Sequence, residues 1–212
     1  LSPPSNPNWK LTGALNFYES PVQFDKTTFS SNIKGDDFLN IIRSKFVIRD
    51  SLFIKTFADA FDSDFSSGKI SDTTFINCGS SEKNGDGLDI SGSSLKIKNV
   101  NFENIGDKAL SIGENSILVG ENIEIKKSNI AVASKDLSLS KINNILIKDS
   151  KIGFAVFQKK PEYGHSHLEV NNQTMMDVEQ PNLVEKGSIL LLDGESIQPN
   201  KQDVRELLYE KK

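Results

Sequence analysis

Phe29, Phe53, Phe75 and Phe102 recur at steps of 24, 22 and 27 residues, and Ile125 and Ile147 extend the column at steps of 23 and 22. A second column, Asn16, Asn40, Asp62, Asp89, Leu110, Val132 and Phe154, keeps nearly the same spacing, with steps of 24, 22, 27, 21, 22 and 22. Two columns in near phase mark an internal repeat, which constrains the architecture before any single element is read. Apolar residues alternate around the first column, as in Phe46-Val47-Ile48, Leu95-Lys96-Ile97-Lys98 and Ile145-Leu146-Ile147. A period of two means strands. The Ser, Asn, Asp, Gly and Lys residues between them are turn formers. Strands and turns in a unit of roughly 20–29 residues make a β-solenoid, because one coil cannot bury its apolar face alone. Stacked coils lie about 4.8 Å apart, so residues distant in sequence become vertical neighbours. The expected fold is all-β: a solenoid of about seven coils with a C-terminal hairpin and short-helix cap.

The chain divides accordingly. Residues 1–9 read as an entry linker, with Trp9 as a lid on the first coil. Residues 10–160 are the solenoid, and residues 161–212 are a cap. In the cap, Ile189 to Ile197 is expected to form a hairpin turning at Asp193-Gly194. A helix is expected over 201–210, capped by Asn200 with Asp203 as partner and carrying Val204, Leu207 and Leu208 as its apolar stripe. The chain starts with Leu1 rather than Met and shows no signal peptide, so it reads as a fragment or mature form. A net charge of −4 gives no broad basic surface and argues against nucleic acid. No apolar run reaches the ~20 residues of a membrane span. One cysteine, Cys78, excludes an internal disulfide and reads as a buried apolar side chain.

On the first strand of each unit, Leu15, Leu39, Phe61, Leu88, Ala109, Ala131 and Gly153 are expected to point inward. The column beginning with Asn16 then points outward. The middle of that face is acidic, and its C-terminal end is apolar: Leu110, Ile112, Ile130, Val132, Ile152, Phe154 and Val156. A bare apolar patch of this kind is unusual. The remaining chain, or another domain, is expected to cover it.

The repeat region resembles a right-handed parallel β-helix of the pectin-lyase-like kind. Asn84-Gly85-Asp86-Gly87-Leu88-Asp89 resembles the polygalacturonase signature Asn-Thr-Asp-Gly-x-Asp, and Gly106-Asp107-Lys108 falls where that family carries Gly-Asp-Asp. The resemblance implies that Asp86 and Asp107 flank a glycosidic bond as acid and water-activating base, as inversion requires. Lys108 replaces the family's second aspartate, and the family's Gly-His-Gly and Arg-x-Lys motifs have no counterpart. The segments Asn40 to Phe46, Ala58 to Phe65 and Ala133 to Ser138 also resemble β-helix repeats of bacterial surface proteins, which implies an extracellular or cell-surface location.

The residues allow three uses of this face. Asn16, Tyr18, Asn40, Arg43 and Lys135 are expected to contact a polysaccharide held along the strands by a binding module. Alternatively, Asp62, Asp64 and Asp89 stack closely enough to hold Ca²⁺, which takes oxygen ligands. Lys108 or Arg43 would then be the base of a calcium-dependent lyase. A plainer role remains beside each: Lys108 balances Asp86 and Asp107, and the acidic column Asp37, Asp59, Asp86, Asp107 and Asn129 makes turns. The third use is structural or adhesive, with the apolar end docking another domain. His165 and His167 lack a third ligand for a metal site.

Overall fold

A computed structural model describes residues 5–6, 9–79 and 84–209. It shows a parallel β-solenoid of about eight turns. Three strand ladders run along its axis. The first holds Gly13–Tyr18, Asp37–Ile42, Asp59–Asp64 and Leu88–Ser91, and then residues 108–113 and 130–135, Ile152–Phe157 and Gln180–Val184. The second pairs Val22–Asp25 with Lys45–Arg49 and continues to Ile189–Leu192. The third carries the phenylalanines. Phe29, Phe53, Phe75 and Phe102 pair in register, and their rings stack at 4.3, 4.6 and 4.8 Å with interplanar angles of 13°, 6° and 13°. Beyond its buried area, each aromatic contact contributes about 0.5–1.5 kcal/mol.

Corners are turned by single residues with positive φ, mostly Asn, Asp and Lys. At one corner Asn144, Asn122 and Asn99 each donate a side-chain amide to the residue one coil below, ending on Asp72, at 2.8–3.0 Å. At another, a buried serine column does the capping. The hydroxyls of Ser44, Ser66, Ser93, Ser116 and Ser138 each accept the backbone N–H one coil below, at 2.8–3.2 Å. Donors that the turn would orphan are thereby satisfied. Cys78 is buried, and burial pushes its thiol up to about 11.

The second sequence column slips by one residue at Leu110. The ladder pairs Leu88 with Leu110 and Asp89 with Ser111. The next coil has a register shift between Ile105 and Lys108. Aligning Gly106-Asp107 with Gly85-Asp86 crosses that irregularity, and in a strand a one-residue slip exchanges the two faces. Leu110, Ile112, Val132, Phe154 and Val156 are therefore core residues, continuous with Leu39, Phe61 and Leu88. The outward residues there are Ser111, Ala133 and Ala155, and the two alanines with Ile130, Ile152 and Phe157 form a smaller apolar face.

The chain covers that face itself. The terminal helix, Val204–Tyr209, lays Val204, Leu208 and Tyr209 on it. Leu207, expected on the stripe, points to solvent at 39% exposure. Asp203 caps the helix by accepting the Glu206 N–H at 2.8 Å, whereas Asn200 bridges Val184 and Asn182. The Asp193-Gly194 hairpin forms with positive φ at both residues. The coils also continue past Pro161, since His167–Met176 pairs with residues 139–148. At the other end Ser5–Asn6 pairs antiparallel with Trp9–Lys10, while the Trp9 side chain lies outside the described part. No helix among the described residues is long and apolar enough to cross a membrane.

Candidate functional site

The outward face of the first ladder carries the charge. One column runs Asp37, Asp59, Asp86, Lys108 and the next Asn40, Asp62, Asp89, Ser111. Lys108 thus takes the stacking position above Asp86 that the sequence reading gave to Asp107. The turn-making role is visible: Asp59 accepts the Asp86 N–H at 2.7 Å, and Asp86 accepts the Lys108 N–H at 2.9 Å. The glycines of the motif are packing residues. A Cβ on Gly106 would stand 2.1 Å from the Gly79 carbonyl oxygen, and one on Gly85 would stand 2.6 Å from that of Ala58.

Lys108 is buried, and its ammonium lies 3.2 Å from Asp86 Oδ1, 3.3 Å from Oδ2 and 2.5 Å from Asp107 Oδ2. Burial opposes the charge, but the two carboxylates outweigh it and hold the lysine pKa well above its usual value. Its position between two carboxylates is that of a counter-ion. Lys135, also buried, reaches back one coil to donate to Ser111 Oγ at 2.6 Å and lies 3.6 Å from Asp89 Oδ1. It fits because Gly113 has no side chain: a Cβ there would sit 3.0 Å from Lys135 Cε.

These groups border a cleft of about 300 Å³, lined by Asp36, Asp59, Asn84, Asp86, Asp89, Asp107, Lys108, Lys135, Lys159 and Tyr209 with Ala58. Lys159 comes from the loop after Phe157, where Asp136 fixes the Lys159 and Lys160 N–H groups at 2.7 Å each. Its ammonium stands 4.8 Å from the centroid of the Tyr209 ring. Burial and then the neighbouring Lys135 and Lys108 charges depress its pKa. Tyr209, on the terminal helix, forms the far wall. A larger groove of about 870 Å³ on the third ladder has no buried charge.

The carboxylates differ sharply. Burial, with Asp86 and Asp89 adding repulsion, raises Asp59 well above the carboxylate range. Burial likewise raises Asp62, with Asp89 and Asp64 adding to it. Asp86 is raised because burial outweighs Lys108. Asp89 is lowered: burial opposes ionisation, but Lys135, Lys108 and Ser111 overcome it.

The residues expected to form one metal set divide in two. Asp89 joins Asp59 and Asp86, with one oxygen from each lying within 4.8 Å of the others. Asp62 and Asp64 turn instead toward Asn40, whose amide nitrogen lies 3.3–3.4 Å from Thr12 Oγ1, Asp37 Oδ2, Asp62 Oδ2 and Asp64 Oδ2. Asn40 Oδ1 is buried without a partner. Both sets are oxygen donors of the kind Ca²⁺ takes. Lysine ammoniums already stand against Asp86 and Asp89.

Of the residues expected to contact a glycan, only Lys135 lines the cleft. Asn16 bends its own strand through Gly13, Asn40 is buried, Tyr18 lies on the first coil, and Arg43 sits on a corner 4.0 Å from Glu19. Asp59 was read only as a turn residue, and Lys159 and Tyr209 carried no repeat signal. A scan against protein-family models finds no match, and a search of curated proteins finds none either.

Proposed function

We propose that this chain is a carbohydrate-binding β-solenoid module, displayed outside the cell, whose first-ladder cleft holds one or two residues of a neutral glycan. The observation that carries this reading is the cleft's lining, which is almost wholly polar and charged. Its volume lies at the small end of the range for ligand sites. Sugar hydroxyls donate and accept, so they can meet fixed carboxylates and ammoniums together. The Tyr209 ring offers the one flat apolar surface. Asp36, Asp59, Asp86, Asp89 and Asp107 against Lys108, Lys135 and Lys159 leave five formal negatives against three positives. That excess disfavours a uronate in this cleft.

The test is a glycan array followed by calorimetry on wild type and Asp89→Asn, each with calcium and with EDTA. A neutral oligosaccharide is expected to bind, and Asp89→Asn to weaken it by about tenfold, the effect of losing one charged hydrogen bond. Array silence, or equal binding by the variant, would sink the reading.

A glycosidase is the second reading, and the opposed carboxylates favour it. Burial raises the pKa of Asp59, whereas that of Asp89 is lowered in spite of burial, the direction of difference found between a general acid and its ionised partner. Asp59→Asn and Asp89→Asn would then each abolish release of reducing ends while folding normally. A lyase through Lys108 is not favoured, since Asp86 and Asp107 both hold its ammonium and raise its pKa. The resemblance of residues 84–89 to the polygalacturonase signature supports the glycan class.

A further inference from the structure

The second ladder has an outer face opposite in sign to the cleft. On coils two to four its nine outward positions include Lys45, Arg49, Lys69, Lys96 and Lys98, and no carboxylate. Five positive charges thus fall on a patch about 10 Å by 13 Å, in a chain whose net charge is −4. All five are exposed. Arg49 pairs with Asp25 at 3.8 Å and Lys98 with Glu121 at 3.1 Å, both at the patch's edges. Lys45, Lys69 and Lys96 form no ion pair among the described residues. They lie on successive coils, and Lys69 and Lys96 are direct register partners. Like charges directly opposite on neighbouring strands are destabilising, so an anion from outside would relieve the Lys69–Lys96 pair. A shallow groove of about 510 Å³ runs over the same coils between Val47 and Val119.

We propose that this face binds a linear anionic glycan lying along the solenoid axis. A sugar ring is about as long as one coil is thick, so a polymer charged once per residue meets Lys69 and Lys96 on successive coils and passes between Lys45 and Arg49, which flank Val47 on the coil below. Single-stranded nucleic acid is less well matched, because none of the nine positions is aromatic and bases would find no stacking partner. The proposal is independent of the cleft, since it concerns a different ladder and the opposite charge.

Anisotropy of a fluorescent polyuronate and of a fluorescent linear glucan sulfate tests it, with wild type, Lys69→Ser/Lys96→Ser and Asp89→Asn. Both lysines are solvent-exposed, and circular dichroism confirms the fold of the variant. Wild type should bind at least one polymer, and the preferred one identifies carboxylate or sulfate ester as the charge recognised. Binding should weaken steeply with salt and fall roughly tenfold or more in the lysine variant, while Asp89→Asn binds as wild type does. The proposal is overturned if neither polymer binds or if the lysine variant binds equally. It is also overturned if single-stranded DNA or phosphatidylglycerol vesicles bind as tightly as the glycans.

Discussion

Replacing Asp37 by Asn should make the protein more stable at neutral pH and leave it little changed at pH 4. Asp37 is 3% exposed and shares the single amide of Asn40 with Asp62 and Asp64. Burial, with repulsion from Asp36 and Asp64, raises its pKa from 3.8 to about 6, although Thr12 and Asn40 hydrogen bonds oppose the rise. The folded state therefore holds this proton more tightly than the unfolded chain. Its contribution to stability is complete below about pH 3.8 and is lost as pH rises through about 6. A shift of roughly two units corresponds to about 3 kcal/mol between pH 4 and pH 7. Asparagine carries no charge to desolvate but weakens the Thr12 and Asn40 hydrogen bonds, at about 1 kcal/mol. The net gain at pH 7 is then about 2 kcal/mol, or roughly 4–8 °C in Tm for a chain of this size. Thermal and urea melts in EDTA at pH 4, 5, 6 and 7 measure it. An equal effect at pH 4 and pH 7, or a loss of stability at pH 7, would refute the electrostatic account. Adding calcium at pH 7 should narrow the gap between the two proteins if these carboxylates take up the ion.

Phe75 is stacked on both sides, so Phe75→Ala should cost about 3–5 kcal/mol in urea denaturation. Lys108→Met strands two carboxylates and should cost about 3–5 kcal/mol. Adding Asp86→Asn should recover more than half of that loss, read as a coupling energy in a double-mutant cycle. Gly113→Ala would place a Cβ 3.0 Å from Lys135 Cε and strain the buried Lys135 contacts with Ser111 and Asp89, so calorimetric Tm should fall and glycan binding in the cleft should weaken.

The solenoid was legible because stacked coils repeat the same physical demand at each level. The Phe29–Phe102 column kept its phase to Ile147, and every pair in it is in register. The serine column was equally available in the sequence, as Ser44, Ser66, Ser93, Ser116 and Ser138 keep the same spacing. It went unread because hydroxyls in a turn look alike whether they cap a neighbouring coil or face water. The last coils were hidden by chemistry. Step lengths rise to 28 after Ser138, where residues 158–165 are inserted, and Gln173 and Asn182 replace apolar residues in the stacked columns. With those columns interrupted, neither spacing nor hydrophobicity marks another turn.

The cleft was the hardest part to read, for a reason that belongs to its construction. A column of identical residues makes a uniform surface, and a uniform surface has no localised site. Here the acidic columns form the floor, while the groups that give the cleft its chemistry come from departures from the repeat. Lys108 follows the register shift at Ile105, Lys135 depends on the glycine beneath it, Lys159 rides on the inserted loop, and Tyr209 ends the terminal helix. Each breaks a local rule of the solenoid, as functional positions tend to do. Asp107 shares the cleft and the Lys108 ammonium with Asp86, but Lys108 takes the stacking position above Asp86 because the motif spans the register shift. What the repeat could show was which residues share a face. Which of them meet in one cleft was decided where the repeat gives way.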